Sequence, residues 1–241
     1  MQRQRMTATA ACVAAAAVGP EHVTGLAMPS RHSSQHSIDD AAHTAASLGL
    51  VFETIPIDSM HGSVEASIGP MLDAGASVAG ENLQARLRGL VVMAHANAQG
   101  SMAIATGNKS ELAQGYCTLY GDMAGGYTPL GDLYKMQVYG LADVFNQRAV
   151  EQGLTPPVND STRTKPPSAE LAPDQIDQDS LPPYPELDAI LSAHIEGGLD
   201  GSSIAAKGHD ATVVLEVLTR LERNEHKRWQ MSPAPRVSSR A

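Results

Sequence analysis

Short apolar runs that alternate with helix-like segments constrain the fold of this chain more than any other feature. Runs that read as strands cover residues 23–28, 51–56 and 102–105, and helical patterns cover 8–18, 38–48, 81–97, 135–152, 187–196 and 211–228. Strands that alternate with helices are typical of βαβ units. The order of elements therefore predicts an α/β fold built on a parallel sheet, within one domain that spans residues 1–241.

Composition narrows the class of partner. The formal net charge of −9 argues against a general nucleic-acid surface, which needs a basic face. A ligand that carries phosphates must then be held by local cations, backbone amides and metal. Aromatic residues make up only 4%, so Ala, Val, Leu, Ile and Met are expected to fill the core. Cys12 and Cys117 form no disulfide or metal framework, which suits a reducing cytosol, and we expect a cytoplasmic protein.

The N-terminal segment resembles the start of a signal peptide, because Arg3 and Arg5 precede a run of small apolar residues at 8–18. That run passes into residues 19–23 without a clear processing site. We therefore interpret residues 8–18 as a buried helix. No apolar run approaches the ~18 residues needed to span a bilayer, so no membrane partner is expected.

Segment 106–127 carries the groups with the most chemistry. It follows a strand-like run, and open α/β sheets bind ligands at the carboxyl ends of their strands. Thr106 and Ser110 can reach phosphate oxygens, and Glu111 offers the oxygen ligand that Mg²⁺ prefers. An ordinary strand-to-helix connection explains the same residues, with Thr106 or Asn108 capping a helix that begins near Ser110. The local pattern leaves the two interpretations even.

Other features can each serve a ligand or be purely structural. Asn82 and Arg86 lie four residues apart and share one helix face, which can grip a polar ligand or face solvent. Lys135 starts a helix, where a cation is electrostatically disfavoured, and this conflict favours a functional role. The loop after Met28 can accept a planar base or cap the next helix. Residues 156–185, rich in Pro, Asp and Ser, form either a linker or a ligand-covering loop.

Together these segments resemble the synthetase domain of NAD⁺ synthetases, especially the glutamine-dependent bacterial type. The resemblance runs in order from about residue 8 to the C-terminus. The blocks that carry it are Gly19-Pro-Glu21, Met28-Pro-Ser30, Glu81-Asn-Leu-Gln-Ala-Arg86, Thr106-Gly-Asn-Lys-Ser-Glu111, residues 115–126 (GYCTLYGDMAGG), 165–171 (KPPSAEL), 177–184 (DQDSLPPY) and Asn224-Glu-His-Lys-Arg228. Several of these blocks are long enough to make chance an implausible account.

The resemblance implies an adenine nucleotide α-hydrolase-like (Rossmann-like) fold with a doubly wound parallel sheet, usually in a homodimer. It also implies the ATP-dependent amidation of deamido-NAD⁺ to NAD⁺. In that reaction the nicotinate carboxylate is adenylated with release of pyrophosphate, and ammonia then displaces AMP. The expected partners are deamido-NAD⁺, ATP, Mg²⁺, and ammonia or a glutaminase domain.

The resemblance further assigns roles to individual residues of this chain. Glu111 and Lys135 are the expected catalytic residues, and Glu111 is expected to hold Mg²⁺ and approach the substrate. The expected ATP contacts are Met28, Thr106, Lys135 and Ser168. The expected deamido-NAD⁺ contacts are Asn82, Arg86, Glu111, His226 and Lys227.

One segment departs from the family pattern. Family members carry Ser-Gly-Gly-x-Asp-Ser after the first strand, where glycine amides cradle pyrophosphate and the Asp holds Mg²⁺. Counted back from Gly19, that loop should occupy residues 2–7, which read QRQRMT without a glycine or a carboxylate. Arg3 and Arg5 offer only point charges. We therefore expect a domain truncated at both ends, without its N-terminal strand and with impaired activity. The alternative is a non-catalytic remnant that binds a nucleotide or a partner.

Overall fold

The computed structural model describes residues 2–31, 33–73, 78–161 and 181–240. A short 3₁₀ turn covers Pro20–His22. The helices of the described ranges are α1 (Gln2–Val18), α2 (Gln35–Leu48), α3 (Asp58–Asp73), α4 (Val78–Gln99), α5 (Lys109–Gln114), α6 (Lys135–Glu151), α7 (Tyr184–Ile195), α8 (Gly201–Ala205), α9 (Ala211–Arg223) and α10 (Glu225–Arg228).

Two parallel strands form the sheet of the described residues. Strand β1 (Thr24–Ala27) pairs with β2 (Val51–Thr54), with Thr24 opposite Val51. Helix α2 lies between them in the chain and makes the crossover that parallel strands require. The predicted βαβ unit and its parallel sheet are therefore confirmed.

The third strand-like run, at residues 102–105, is shorter than predicted. It contributes one parallel bridge, between Ile104 and Tyr127, rather than a full strand. The partner segment enters a turn directly after the bridge, where Gly131 donates its backbone N–H to the Thr128 carbonyl. Strand pairing ends at Tyr127 because the turn directs the residues that follow it away from residues 102–105.

Helix α1 is buried along much of its length, as the run of small residues predicted. Met6 and Ala10 pack against Leu130 and Val138, and all four side chains are buried. Small side chains let the helix approach its neighbours closely. Burial also raises the pKa of Cys12 to about 12, which keeps that thiol protonated and unreactive.

The polar loop before α2 ends in a helix cap. Ser34 Oγ accepts a hydrogen bond from the Ser37 amide at 3.3 Å, so α2 begins at Gln35 rather than at the predicted residue 38. Gly49 ends the helix in the left-handed conformation at φ 72°. The serine-rich loop therefore serves as a cap, which was one of its two predicted roles.

The weakly patterned region at residues 57–80 is mostly helical. Gly62, Gly69 and Pro70 lie inside α3 and lower its intrinsic helix propensity. The start of α3 is anchored by Ile57, which is fully buried, and the helix packs against α4. Tertiary packing therefore outweighs local propensity here.

An apolar core in the C-terminal part joins α7, α8 and α9. Its buried side chains include Leu187, Ile190, Ile204 and Val217. The predicted helix at 211–228 is interrupted, because Asn224 ends α9 and begins α10. None of the described helices is long and apolar enough to cross a bilayer.

Candidate active site

Helix α5 begins with a capping box. Asn108 Oδ1 accepts the Glu111 N–H at 3.0 Å, and Glu111 Oε2 accepts the Asn108 N–H at 3.2 Å. Asn108 is therefore the cap, rather than Thr106, in agreement with one of the two open interpretations. The cap uses only one carboxylate oxygen of Glu111, so the other can serve a second partner.

That second partner is Lys135. Its Nζ lies 2.5 Å from Glu111 Oε1, with the lysine side chain fully buried and the glutamate side chain 12% exposed. The ammonium also lies 4.9 Å from the centre of the Tyr184 ring. A carboxylate and an aromatic face thus offset the unfavourable position of a cation at the N-terminus of α6. The two expected catalytic residues form one buried ion pair.

The Ser110 hydroxyl, which the sequence offered as a group that can reach phosphate, is bonded within the protein in this structure. The residue is fully buried, and its Oγ donates to Asp188 Oδ1 at 2.5 Å and accepts the Lys135 N–H at 2.9 Å. Asp188 Oδ2 accepts the Met136 N–H at 2.8 Å. Burial raises the pKa of Asp188, although the hydrogen bonds from Met136 and Ser110 oppose the rise. Sequence reasoning missed Asp188, which lies 78 residues beyond Ser110.

Lys109 ties α5 to the C-terminal segment, which we define as residues 231–240. Its Nζ lies 2.8 Å from Asp132 Oδ1 and from Glu196 Oε1, and donates to Ser238 Oγ at 3.0 Å. Asp132 Oδ2 also accepts the Ser238 N–H at 2.7 Å. Burial disfavours the ionised Asp132, but the hydrogen bonds from Lys109 and Ser238 outweigh it and lower the Asp132 pKa to about 2.

A cleft opens beside α5. Two carboxylates, those of Glu111 and Asp122, are among the groups at its wall. The lining residues are Ala105, Gly107, Glu111, Leu112, Cys117, Asp122, Met123, Thr128 and Met231. Thr106, an expected ATP contact, is partly buried between two of them. The cleft therefore runs from the strand end at 105 to Glu111, whose Oε1 pairs with the buried Lys135.

Asn82 and Arg86 hold the chain that leads into this cleft. Asn82 Oδ1 accepts the Thr118 Oγ–H at 2.9 Å, and Arg86 Nε donates to the Leu119 carbonyl at 3.2 Å. The Thr118 amide in turn donates to Asp122 Oδ1 at 2.6 Å. As predicted, Asn82 and Arg86 share one helix face. In this structure Asn82 binds a side chain and Arg86 binds a backbone carbonyl of the same segment.

Lys227 holds the same segment from α10. Its Nζ donates to the carbonyls of Gly115 and Cys117, at 2.7 and 2.8 Å. His226 is exposed, and its Nδ1 lies 3.0 Å from the Arg223 carbonyl. The structure therefore brings three of the expected deamido-NAD⁺ contacts, on α4 and α10, to one segment.

Met28 lies in a loop that is fixed by buried polar groups. The Met28 carbonyl accepts a hydrogen bond from Arg88 Nε at 3.1 Å, and Arg88 Nη2 donates to Ser30 Oγ at 3.3 Å. Ser30 Oγ donates to Gln84 Oε1 at 3.1 Å. The loop expected to meet adenine is thus held by the same helix, α4, that carries Asn82.

Residues 162–180 of the expected loop, which include Ser168, lie outside the described residues. The described residues that flank them are held in place. Val158 exchanges two hydrogen bonds with the Asn146 side chain, at 2.6 and 3.0 Å, and Leu181 is buried. These contacts fix both ends of the loop against the body of the domain.

Residues 2–7, where the glycine-rich loop was expected, lie in α1. The Arg5 guanidinium lies 3.8 Å from the centre of the Tyr139 ring, and Nη2 lies 3.7 Å from Asp143. Only 10% of the Arg5 side chain is exposed. Arg5 therefore packs within the domain instead of presenting a point charge to a ligand.

Mg²⁺ is compatible with the two carboxylates of the cleft. In the described ranges, no group of three or more His, Cys, Asp and Glu residues could hold a metal ion. Mg²⁺ usually takes one or two carboxylates and completes its shell with phosphate oxygens and water. The carboxylates that the cleft wall offers such an ion are those of Glu111 and Asp122, and both Glu111 oxygens already accept hydrogen bonds, from the Asn108 N–H and from Lys135 Nζ.

Known proteins resemble this chain in sequence and in structure. The family model described as NAD synthase matches residues 6–231. A glutamine-dependent NAD(+) synthetase of Synechocystis is 45% identical over 232 residues, which cover 96% of this chain and 40% of that protein.

Two solved structures are similar as well. The glutamine-dependent NAD⁺ synthetase from Acinetobacter baumannii, in complex with ADP, has a TM-score of 0.64 at 40% identity, over 98% of this chain and 42% of that one. The NMN synthetase from Francisella tularensis has a TM-score of 0.74 at 26% identity, over 96% and 85%.

The structure is an α/β domain of the adenine nucleotide α-hydrolase-like class. The chain belongs to the NAD synthase family, a family of ligases. The predicted fold class and family are thereby confirmed, while the roles of individual residues stay predictions. The chain spans about two-fifths of the length of the curated relatives it matches.

Proposed function

We propose that this chain catalyses the ATP-dependent amidation of deamido-NAD⁺ to NAD⁺. The observation that carries the proposal is the pairing of the buried Lys135 with Glu111, a residue of the cleft wall, in a member of the NAD synthase family. A nicotinate carboxylate oxygen attacks the α-phosphorus of ATP, and pyrophosphate leaves with the bridging oxygen. Ammonia then adds to the adenylated carbonyl carbon, loses a proton and displaces AMP.

The ATP side of the site is assigned to Met28, Thr106, Lys135 and Ser168. Lys135 offsets the charge that builds on the phosphates as pyrophosphate leaves, and Glu111 holds the ammonium in place for that task. Glu111 would also hold Mg²⁺, which supplies further neutralisation of the phosphates. The Acinetobacter baumannii relative was solved with ADP, which supports an adenine nucleotide as ligand of this family member.

The deamido-NAD⁺ side is assigned to Asn82, Arg86, Glu111, His226 and Lys227. The support for this side is the convergence of Asn82, Arg86 and Lys227 on the segment that leads to Asp122 in the cleft. A substrate held there places its carboxylate near the Glu111 end of the cleft. Fixed geometry of this kind replaces a bimolecular encounter with a positioned one.

A second candidate is a chain that binds nucleotide or a partner without turnover. The observation that favours it is the helical segment 2–7, which carries neither glycine amides nor a carboxylate for pyrophosphate. For the same reason we expect turnover slower than that of the Synechocystis relative. The first proposal, amidation of deamido-NAD⁺, also includes a homodimer and ammonia that a glutaminase domain delivers.

Purified protein supplied with ATP, Mg²⁺, deamido-NAD⁺ and ammonium tests the proposal through the formation of NAD⁺ and AMP. Lys135→Ala should lower the rate by about a hundredfold, because a charge that stabilises the leaving group is removed. Lys207→Ala is the matched control, since Lys207 is exposed after α8 and its loss should leave the rate unchanged.

Calorimetry with deamido-NAD⁺ separates the two candidates. Binding without NAD⁺ formation supports the second candidate, and the absence of binding at millimolar ligand contradicts a deamido-NAD⁺ site in either candidate. Turnover equal to that of the Synechocystis relative contradicts the expected impairment. Equal rates for Lys135→Ala and the unmodified chain contradict the role of Lys135.

A further inference from the structure

We propose that Asp188 is a positioning residue, which acts with Ser110 to hold the Lys135 ammonium against Glu111. This inference rests on the proposed function, in which Lys135 contacts ATP. Asp188 lies on α7, outside every block that carries the family resemblance. Its carboxylate joins α7 to both α5 and α6.

The carboxylate of Asp188 divides its two oxygens between two helices. Oδ1 accepts the Ser110 Oγ–H at 2.5 Å, and Oδ2 accepts the Met136 N–H at 2.8 Å. Ser110 Oγ accepts the Lys135 N–H at 2.9 Å. The first amides of α6 are therefore satisfied from α5 and α7. Hydrogen bonds to an ionised oxygen are the stronger class, so these contacts fix the helix start firmly.

Helix α6 supplies only part of its own cap. Gln137 Oε1 accepts the Tyr134 N–H at 2.8 Å, whereas the Tyr134 hydroxyl, at the N-cap position, donates to Glu196 Oε1 at 3.1 Å. The first amides of a helix have no intrahelical partner and must find one elsewhere. Asp188 and Ser110 supply it, and the negative charge of Asp188 also suits a helix N-terminus.

The position of the Lys135 ammonium follows from that of its backbone. Ser110, which receives the Lys135 amide, is the chain neighbour of Glu111, which receives the Lys135 ammonium. Two consecutive residues of α5 thus bind both the backbone amide and the side-chain ammonium of Lys135. A shift of α6 along its axis breaks the register of the two contacts, and Asp188 prevents that shift.

A spectroscopic test reads the ammonium directly. In a ¹H–¹⁵N spectrum tuned to lysine side chains, the fully buried Lys135 ammonium should give a slowly exchanging signal, identified by its loss in Lys135→Ala. Asp188→Asn should weaken that signal through exchange with water. Ser110→Ala should do the same to a smaller degree, and it serves if Asp188→Asn does not fold. Glu186→Gln, on the same helix, is the control. An unchanged Lys135 signal in both variants overturns the proposal.

A double-mutant cycle on the Kd of ATP adds a second test. A general loss of stability would not make the effect of Asp188→Asn depend on Lys135. Calorimetry with ATP and Mg²⁺ should show a Kd raised about tenfold by Asp188→Asn, as expected when one charge-assisted contact is displaced. In the Lys135→Ala background, Asp188→Asn should change the Kd by less than about twofold, because its effect passes through Lys135. An equal loss in both backgrounds overturns the proposal.

The two readouts separate this inference from the proposed function. If ATP does not bind the unmodified chain, or Lys135→Ala leaves its Kd unchanged, the role of Lys135 toward ATP is wrong. The ammonium signal still decides whether Asp188 holds Lys135 in place.

Discussion

Gly115 is a position where one added methyl group should be costly. It ends α5 at φ 65°, and a Cβ built there would lie 2.0 Å from Asn224 Oδ1 and 2.7 Å from Asn224 Cβ. Because the clash extends to Cβ, rotation of the asparagine side chain cannot relieve it. Asn224 has to move, and its Nδ2 then loses the hydrogen bonds to the carbonyls of Gln114 and Arg220, at 3.2 and 2.8 Å.

The magnitude follows from these contacts. A left-handed alanine costs about 1–2 kcal/mol, and each of the two hydrogen bonds contributes about 1 kcal/mol. Gly115→Ala should therefore lower the free energy of unfolding by about 3–4 kcal/mol. Gly49→Ala is the matched control, since Gly49 also ends a helix at φ 72° but has nothing within 4 Å of an added Cβ. That control should lose only the backbone contribution, about 1–2 kcal/mol.

Urea denaturation followed by far-ultraviolet circular dichroism measures both variants. The expected difference between them is about 2 kcal/mol, or roughly thirtyfold in the unfolding constant. In an Asn224→Gly background the clash is absent, so Gly115→Ala should cost no more than the control does. Equal losses for the two glycine variants, or strict additivity in the double variant, would refute the packing of Asn224 on Gly115.

Acid should loosen the C-terminal segment. The pKa of Asp132 falls from 3.8 to about 2 on folding, so the resulting stabilisation, about 2 kcal/mol, is complete above pH ~4 and lost as the pH falls through about 2. Urea midpoints should drop more steeply with acid in the unmodified chain than in Asp132→Asn, and parallel curves would contradict the pairing with Lys109. Arg5→Ala should lower the free energy of unfolding by about 1–2 kcal/mol and leave the calorimetric Kd of ATP unchanged; a weakened Kd would assign Arg5 to phosphate. At pH 8, iodoacetamide should modify Cys117 alone, because burial keeps Cys12 protonated; mass spectrometry showing native Cys12 modified would contradict its burial.

Local patterns predicted what depends on nearby residues. Asn108 was one of the two caps predicted for α5, and the buried α1 followed from its run of small residues. The position of Lys135 at a helix start favoured a functional role, which stays a prediction, and the structure pairs its ammonium with Glu111. The sequence patterns failed at α3, where Pro70 and two glycines weaken the helix signal and packing decides.

Contacts between distant residues could not be predicted in the same way. Asp188 contacts Ser110 only because helices α5, α6 and α7 pack together, and no spacing of residues along the chain predicts that packing. Ser110 itself reads as a free hydroxyl next to a strand end. The Ser110 side chain is fully buried, and it bonds Asp188 on α7, which lies 78 residues further along the chain. At Asn224, where the last predicted helix is split, Nδ2 likewise donates to a residue far away in the chain, the Gln114 carbonyl, at 3.2 Å.

Helix α5 has a consequence for the native-state opening of the domain. Its consecutive residues Lys109, Ser110 and Glu111 reach the C-terminal segment, α7 and α6 in turn. A helix of 6 residues has no stability of its own, so it exists only while all three partners hold it. These regions should therefore open as one cooperative unit and exchange their amide hydrogens with a common free energy. A nucleotide that binds at Glu111 would then slow exchange at Ser238, a residue it does not touch.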